Sequence, residues 1–247
     1  MRVLAFLGGA VLTALLLAVA RLVAEATSPL PSLDLSNSVD QPVDAVHADV
    51  PGSIDVRSSG TAAADARTRR FRAELRAFAA DLERTGKMDT RRAREIAIAA
   101  VSEAYRHGIP PALVLGVMMV ENPDFLSTAR SSAGAVGLMQ IMPGVWLPEL
   151  GPRYGWDLTD DRVNIGFGVH ILAHYYREAD GDWRAALLRY NGCVRGTRTR
   201  NCFEYPNWVR RSTERYARTL CGGQGFDGCV VRRLSLEFDR ARSSVAN

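Results

Sequence analysis

The sequence predicts a mostly α-helical globular domain preceded by an N-terminal export segment and a flexible linker. Apolar residues recur at spacings of three and four through several segments, and no convincing run alternates apolar with polar residues as a half-buried strand does. At the front, residues 3 to 20 carry no charge. The composition, 47% hydrophobic and 23% charged, is that of a chain able to bury one substantial core.

The first element is "MRVLAFLGGAVLTALLLAVARLVAEA". Arg2 precedes the uncharged run, which ends in "AVA" and is soon followed by "AEA". Small-x-small is the pattern a signal peptidase accepts. The run is long for a signal core and slightly short for a spanning helix. Residues 1–26 are therefore read as either a cleaved signal peptide or an inner-membrane anchor through residues 3–23. Both readings export the rest of the chain to the periplasm or cell envelope. Residues 27–66, punctuated by Pro, Ser, Asp and Gly, are read as a flexible linker.

A helical pattern starts near Arg67, with Phe71, Leu75, Phe78 and Leu82 on one side and Gly86 closing it. Residues 89–107 open on Asp-Thr and place Ala93, Ile96, Ala97, Ala100, Val101 and Ala104 on one face. "HGIPP" ends that helix and starts the next at Pro110–Pro111. Residues 112–120 are apolar on every side, as in a buried helix. Further helices are predicted over 137–147, 162–179, 182–190 and 206–220, and residues 231–247 are read as a C-terminal tail.

All four cysteines lie late, at Cys193, Cys202, Cys221 and Cys229. The two close pairs point to short-loop disulfides, Cys193–Cys202 and Cys221–Cys229, out of three arithmetically allowed connectivities. Their spacings match neither a zinc nor a CxxC redox site. His170 and His174 are four apart on a predicted helix, but no HExxH glutamate or third ligand accompanies them, so no metal and no cofactor is expected. The formal net charge of +4 suits an anionic surface or polymer without singling one out. The basic stretches "RTRRFRAELR", "RGTRTR" and "VRR" in an exported chain read as solvated, envelope-facing surface, and no nucleic-acid partner is expected.

The chemistry centres on "VENPDFLSTARSSAGAVGLMQIMP", residues 120–143. Pro123 disfavours helical backbone at Asn122, so the buried helix should end near Glu121. A carboxylate there faces the negative end of the helix dipole and apolar surface, and both favour its protonated form. Such a group is suited to donate a proton near neutral pH. A solvent-facing Glu at a helix end is the plain alternative.

"SSAGAVGLMQIMP" behind that Glu resembles the bacterial lytic transglycosylases, whose catalytic domain has a goose-type lysozyme-like fold. Gly134-Ala135-Val136-Gly137-Leu138-Met139-Gln140 and Pro143 match the core of the family pattern. "NIGFGVHILAHYY" is similar to its scaffold helix, "ALLRYNGC" to its Ala-Tyr-Asn-Ala-Gly motif and "EYPNWV" to its Glu-Thr-x-x-Tyr-Val motif. The resemblance covers roughly residues 90 to 220, within a domain read as 67–230. It implies cleavage of the peptidoglycan glycan strand between N-acetylmuramic acid and N-acetylglucosamine, giving a 1,6-anhydro product. It also implies Glu121 as the acid and base, and substrate contacts from Ser131, Met139, Gln140, Tyr190, Asn191 and Glu204. Ordinary packing roles for Met139, Gln140 and Tyr190, and a helix-start role for Glu204, are the alternatives. Gly134 and Gly137 are read as admitting a sugar chain close to the backbone or as tight packing.

The chain departs from the pattern at four places. Asn122 stands where the family usually has Ser. "ENPDF" is one residue longer than usual, "YNGC" lacks an Ala, and Trp208 replaces a Tyr. A lysozyme-type hydrolase usually needs a second carboxylate, whereas here Asp124 is the only acid near Glu121 in sequence. Asp157, Asp160 and Asp161 read as cap and loop residues. Alternative readings are a hydrolytic muramidase on the same fold, or a non-catalytic glycan-binding or envelope assembly module.

Overall fold

In the computed structural model, which describes residues 56–193 and 201–245, every extended element is a helix. The export segment and most of the linker reading fall outside the described residues. Among those described, no helix is long and apolar enough to cross a membrane.

Helix α1 spans Val56–Glu83. It starts well ahead of Arg67, so the linker reading is corrected over residues 56–66. The reason is the alanine-rich stretch "TAAADA", which favours helix without any core contact. Helix α2 spans Thr90–His107 and buries all six of the expected residues from Ala93 to Ala104. The Asp89 carboxylate caps it, accepting from the Arg92 N–H at 2.8 Å. Helix α3 spans Pro111–Glu121, and Pro111 through Met119 are all buried.

The predicted helix 137–147 is displaced. Residues 129–141 instead form a tight hairpin, with Val136 bridged to both Arg130 and Ile141. Gly137 (φ 82°) and Gln140 (φ 49°) lie in the left-handed region, which interrupts a helix. Helix α4 then starts at Pro143 and runs Pro143–Tyr154. Helix α5 spans Asp161–Glu178, capped by Asp160, and α6 spans Trp183–Tyr190, capped by Asp182.

After a 3₁₀ turn over Cys202–Glu204, α7 spans Tyr205–Tyr216 and a short α8 spans Arg218–Cys221. One helix over 206–220 was predicted. It breaks at Ala217 because the buried Asp81 carboxylate of α1 takes the Thr219 and Leu220 N–H groups, at 2.9 and 3.0 Å. The tail reading is also corrected. A π-helical turn over Asp227–Val231 leads into α9, Arg232–Val245, which buries Leu234 and packs Phe238 edge-on against Tyr176. Both predicted disulfides, Cys193–Cys202 and Cys221–Cys229, are formed.

Helix α3 is the axis of the core and contacts α1, α2 and α7. Its approach to α7 depends on Gly116. A Cβ there would overlap Thr213 Oγ1 and lie 3.2 Å from the Val209 carbonyl oxygen. This close crossing brings the start of α7 to the end of α3, where Glu121 sits.

Candidate active site

Glu121 is the last residue of α3. The chain leaves it through Asn122, a buried residue whose side chain closes the following turn. Its Oδ1 accepts from the Leu126 N–H at 3.1 Å, and its Nδ2 donates to the carbonyls of Leu126 (2.8 Å) and Gly137 (3.2 Å). The longer "ENPDF" segment is accommodated by Phe125, which sits at φ 52° with its ring fully buried. Arg92 pins the same turn, donating to the Phe125 carbonyl at 2.6 Å and Ser127 Oγ at 2.9 Å while pairing with Asp161 at 3.2 Å.

The hairpin forms the adjoining wall. Asn164 of α5, fully buried, donates to the carbonyls of Val136 (2.8 Å) and Leu158 (3.0 Å) and accepts from the Met139 N–H at 2.8 Å. It lies so close to Gly137 that an added Cβ would meet its Cγ at 2.6 Å. Close packing against Asn164, together with the positive φ, explains glycine at 137. Gln140 donates its Nε2–H to the Gly137 carbonyl at 2.8 Å. That one oxygen therefore ties the Glu121 turn to the hairpin.

Two tyrosines complete the surroundings. Tyr205, at the start of α7 and buried, donates its hydroxyl to Glu121 Oε1 at 2.5 Å. Tyr190, at the end of α6, donates to the Met139 carbonyl at 2.9 Å. Burial, and secondarily the Glu121 carboxylate, hold both phenols well above the usual value. Glu121 itself is pushed up to about 7 by burial, against which the Tyr205 hydrogen bond acts. No second carboxylate adds to that effect.

The remaining predicted residues are placed as follows. Met139 has a fully buried side chain seated against Gly168, so the reading of it as a groove-lining contact is corrected. It holds the hairpin to α5 and presents only its carbonyl to Tyr190. Ser131 is exposed, with its Oγ accepting from the Ala135 N–H at 3.0 Å inside the hairpin. Asn191 is half-buried and caps α6. Glu204 accepts from Asn207 Nδ2 at 3.0 Å within its own turn and records no bond to Glu121. His170 packs against His107 and bonds Tyr154 at 3.3 Å, and His174 faces Glu178 at 3.3 Å.

The structure thus brings Glu121, Tyr205, Tyr190 and Gln140 around one corner of the fold. Sequence reasoning missed Tyr205, Asn122 as a tie, and Asn164. For Asn164 a signal existed, an amide in a helix otherwise apolar over residues 163–173 apart from His170. The arrangement offers one carboxyl able to hold a proton near neutrality, oriented by a phenol, with no cation beside it among the described residues to stabilise its ionised form.

Comparison with known proteins bears on the same region. Residues 99–204 match the family described as transglycosylase SLT domain. Membrane-bound lytic murein transglycosylase C of Actinobacillus pleuropneumoniae serotype 5b (strain L20) is 41% identical over 89 residues, covering 33% of this chain and 24% of that protein. The proteins of the same name from serotype 3 (strain JL03) and serotype 7 (strain AP76) match equally. The chain spans about a quarter of the length of these relatives. Among solved structures, an inactive mutant of the lytic transglycosylase Slt from Pseudomonas aeruginosa aligns with a TM-score of 0.44 at 24% identity, covering 51% of this chain and 24% of that one.

Proposed function

Residues 99–204 belong to the transglycosylase SLT family, and from that premise we propose that the chain is a peptidoglycan lytic transglycosylase with Glu121 as its acid and base. Glu121 enters the reaction protonated and donates to the oxygen leaving the muramoyl C1. The carboxylate it becomes then accepts the proton of the muramoyl C6 hydroxyl as that oxygen attacks C1. The C1–O4 glycosidic bond breaks and a C1–O6 bond forms, so one sugar leaves with a free hydroxyl and the other closes as a 1,6-anhydro ring. Glu121 ends protonated, ready for the next cycle, and no water is consumed.

One observation carries this reading. Glu121 is a half-buried carboxyl raised to about 7, bonded to a phenol and, among the described residues, joined by no second carboxylate. An internal nucleophile removes the need for a residue to activate water. Tyr205 fixes which oxygen of Glu121 stays accepting and leaves the other to face the scissile bond. Tyr190, through the Met139 carbonyl, and Gln140, through the Gly137 carbonyl, hold the hairpin wall in place beside it. The glycan strand lies along that wall, with Ser131, Asn191 and Glu204 contacting more distant sugars. Export to the periplasm or envelope, by cleaved signal or by anchor, brings the domain to this substrate.

Mass spectrometry of isolated sacculi digested by the protein tests the proposal. The expected fragments end in anhydromuramic acid, each one water lighter than its reducing counterpart. Reducing ends alone would assign a hydrolytic muramidase instead, and no release at all would leave a glycan-binding module.

A further inference from the structure

A cavity of about 820 Å³ opens between α1, the C-terminal ends of α2 and α5, and α9. It lies by the start of α3, so α3's length, about 15 Å for eleven residues, separates it from Glu121. Its volume is in the range of sites that hold small molecules. Ala63, Ala66 and Phe238 contribute apolar surface, while Arg67, Arg70, Arg106, Arg177, Arg233 and Arg240 line it with positive charge. Glu237 is the one carboxylate in the lining.

The arginines are not all matched. Arg70 and Arg233 share Glu74, at 3.0 and 2.6 Å, Arg106 pairs with Glu103 at 2.6 Å, and Arg240 with Glu237 at 3.2 Å. Arg67 and Arg177 pair with no carboxylate among the described residues. Arg233 is largely buried, and its Nε–H has no hydrogen-bond partner. An apolar surface and surplus positive charge thus converge on one cavity.

We propose that this cavity binds an anionic phospholipid, with the phosphate held by the arginines and the beginning of an acyl chain laid along Ala63, Ala66 and Phe238. Guanidinium groups match phosphate oxygens as paired donors. The apolar surface is what a lipid adds to a bare phosphate, which would leave that surface unused. The site is independent of the proposed lytic reaction.

The test uses the full chain and monomeric short-chain phosphatidylglycerol, titrated calorimetrically, with inorganic phosphate and short-chain phosphatidylcholine as parallel arms. Phosphatidylglycerol should bind, and the other two should bind more weakly by about tenfold or more, the scale of one charge-assisted contact or a few buried methylenes. Arg67→Ala combined with Arg177→Ala, both exposed positions, should weaken phosphatidylglycerol by about tenfold. Ala66→Trp, at an exposed position lining the cavity, should obstruct the acyl-chain path and weaken lipid binding. Both variants should keep the unfolding temperature and the release of muropeptides. Wild type that fails to bind, inorganic phosphate that binds as well as the lipid, or lipid binding unchanged in both variants would each overturn the proposal.

Discussion

One carboxylate in this fold is fully buried and another half-buried, and their surroundings differ in kind. Asp81 of α1 is 1% exposed. It accepts from the N–H groups of Thr219 and Leu220 and from the Arg84 guanidinium. Among the described residues, Glu121 of α3 receives a single hydrogen bond, from a neutral phenol, and no cation. Asp81 joins α1 to α8, and its charge is used up in that joint. Glu121 is tied to α7 only through the neutral Tyr205 hydroxyl, and its proton stays available. A buried carboxylate rich in donors is structural, whereas one short of donors is poised for proton transfer.

The largest expected effect is at the poor site. Glu121→Gln keeps shape and hydrogen bonding but carries no exchangeable carboxyl proton. It should lower anhydromuropeptide release by about a thousandfold, within the span of general acid–base contributions, while the protein stays folded. Retained activity in this variant, measured as released fragments per hour, would direct attention to Glu204.

Next is the pH dependence of stability. Glu121 moves from 4.5 to about 7 on folding, so the folded state binds its proton more tightly than the unfolded chain does. Stability should therefore be highest below about pH 4.5 as far as this group is concerned. It should fall as pH rises through 7 by about 3 kcal/mol, and then level off. Denaturant melts of wild type and Glu121→Gln across that window should diverge, with the variant lacking the decline. Parallel curves would mean that Glu121 is solvated.

Asp81→Asn examines the rich site. It retains one acceptor for the α8 N–H groups but loses the ion pair to Arg84, at about 2 kcal/mol of stability. Activity per folded molecule should not change, and a drop there would break the distinction between the two carboxylates. The smallest effect is expected for Tyr205→Phe. Removing the one bond that favours the ionised form should move the alkaline fall of kcat/KM to higher pH. The rate should drop by about tenfold through lost orientation, equivalent to about 1.4 kcal/mol. A profile that keeps its position would show that Tyr205 only packs.

What could be read in the sequence follows the range of the interactions involved. Helices α2, α3, α5 and α6 rest on local periodicity and on caps such as Asp89 and Asp182, all visible within a few residues. Glu121 stood out because an apolar run ended in a charge just before Asn-Pro. The hairpin over 129–141 was hidden because its shape depends on Asn164, a buried amide from a later helix, and on a left-handed Gln140 that no local rule requires. The break at Ala217 depends on Asp81, and the phenol on Glu121 comes from Tyr205, contacts that span 138 and 84 residues. Met139 was misread for a related reason, since the motif records that the residue is needed but not whether its side chain or its backbone is used.

The crossing of α3 and α7 at Gly116 has an evolutionary consequence. Position 116 has no room for even a methyl group while Thr213 stands opposite, and the Val209 carbonyl, at 3.2 Å from where that methyl would lie, leaves little slack if Thr213 shrinks. A change at either position alters which changes the other tolerates. The two sites, 97 positions apart in the chain, should covary across descendants of this sequence as a single inherited character, and their permitted combinations should narrow as the helices stay close enough to keep Tyr205 beside Glu121.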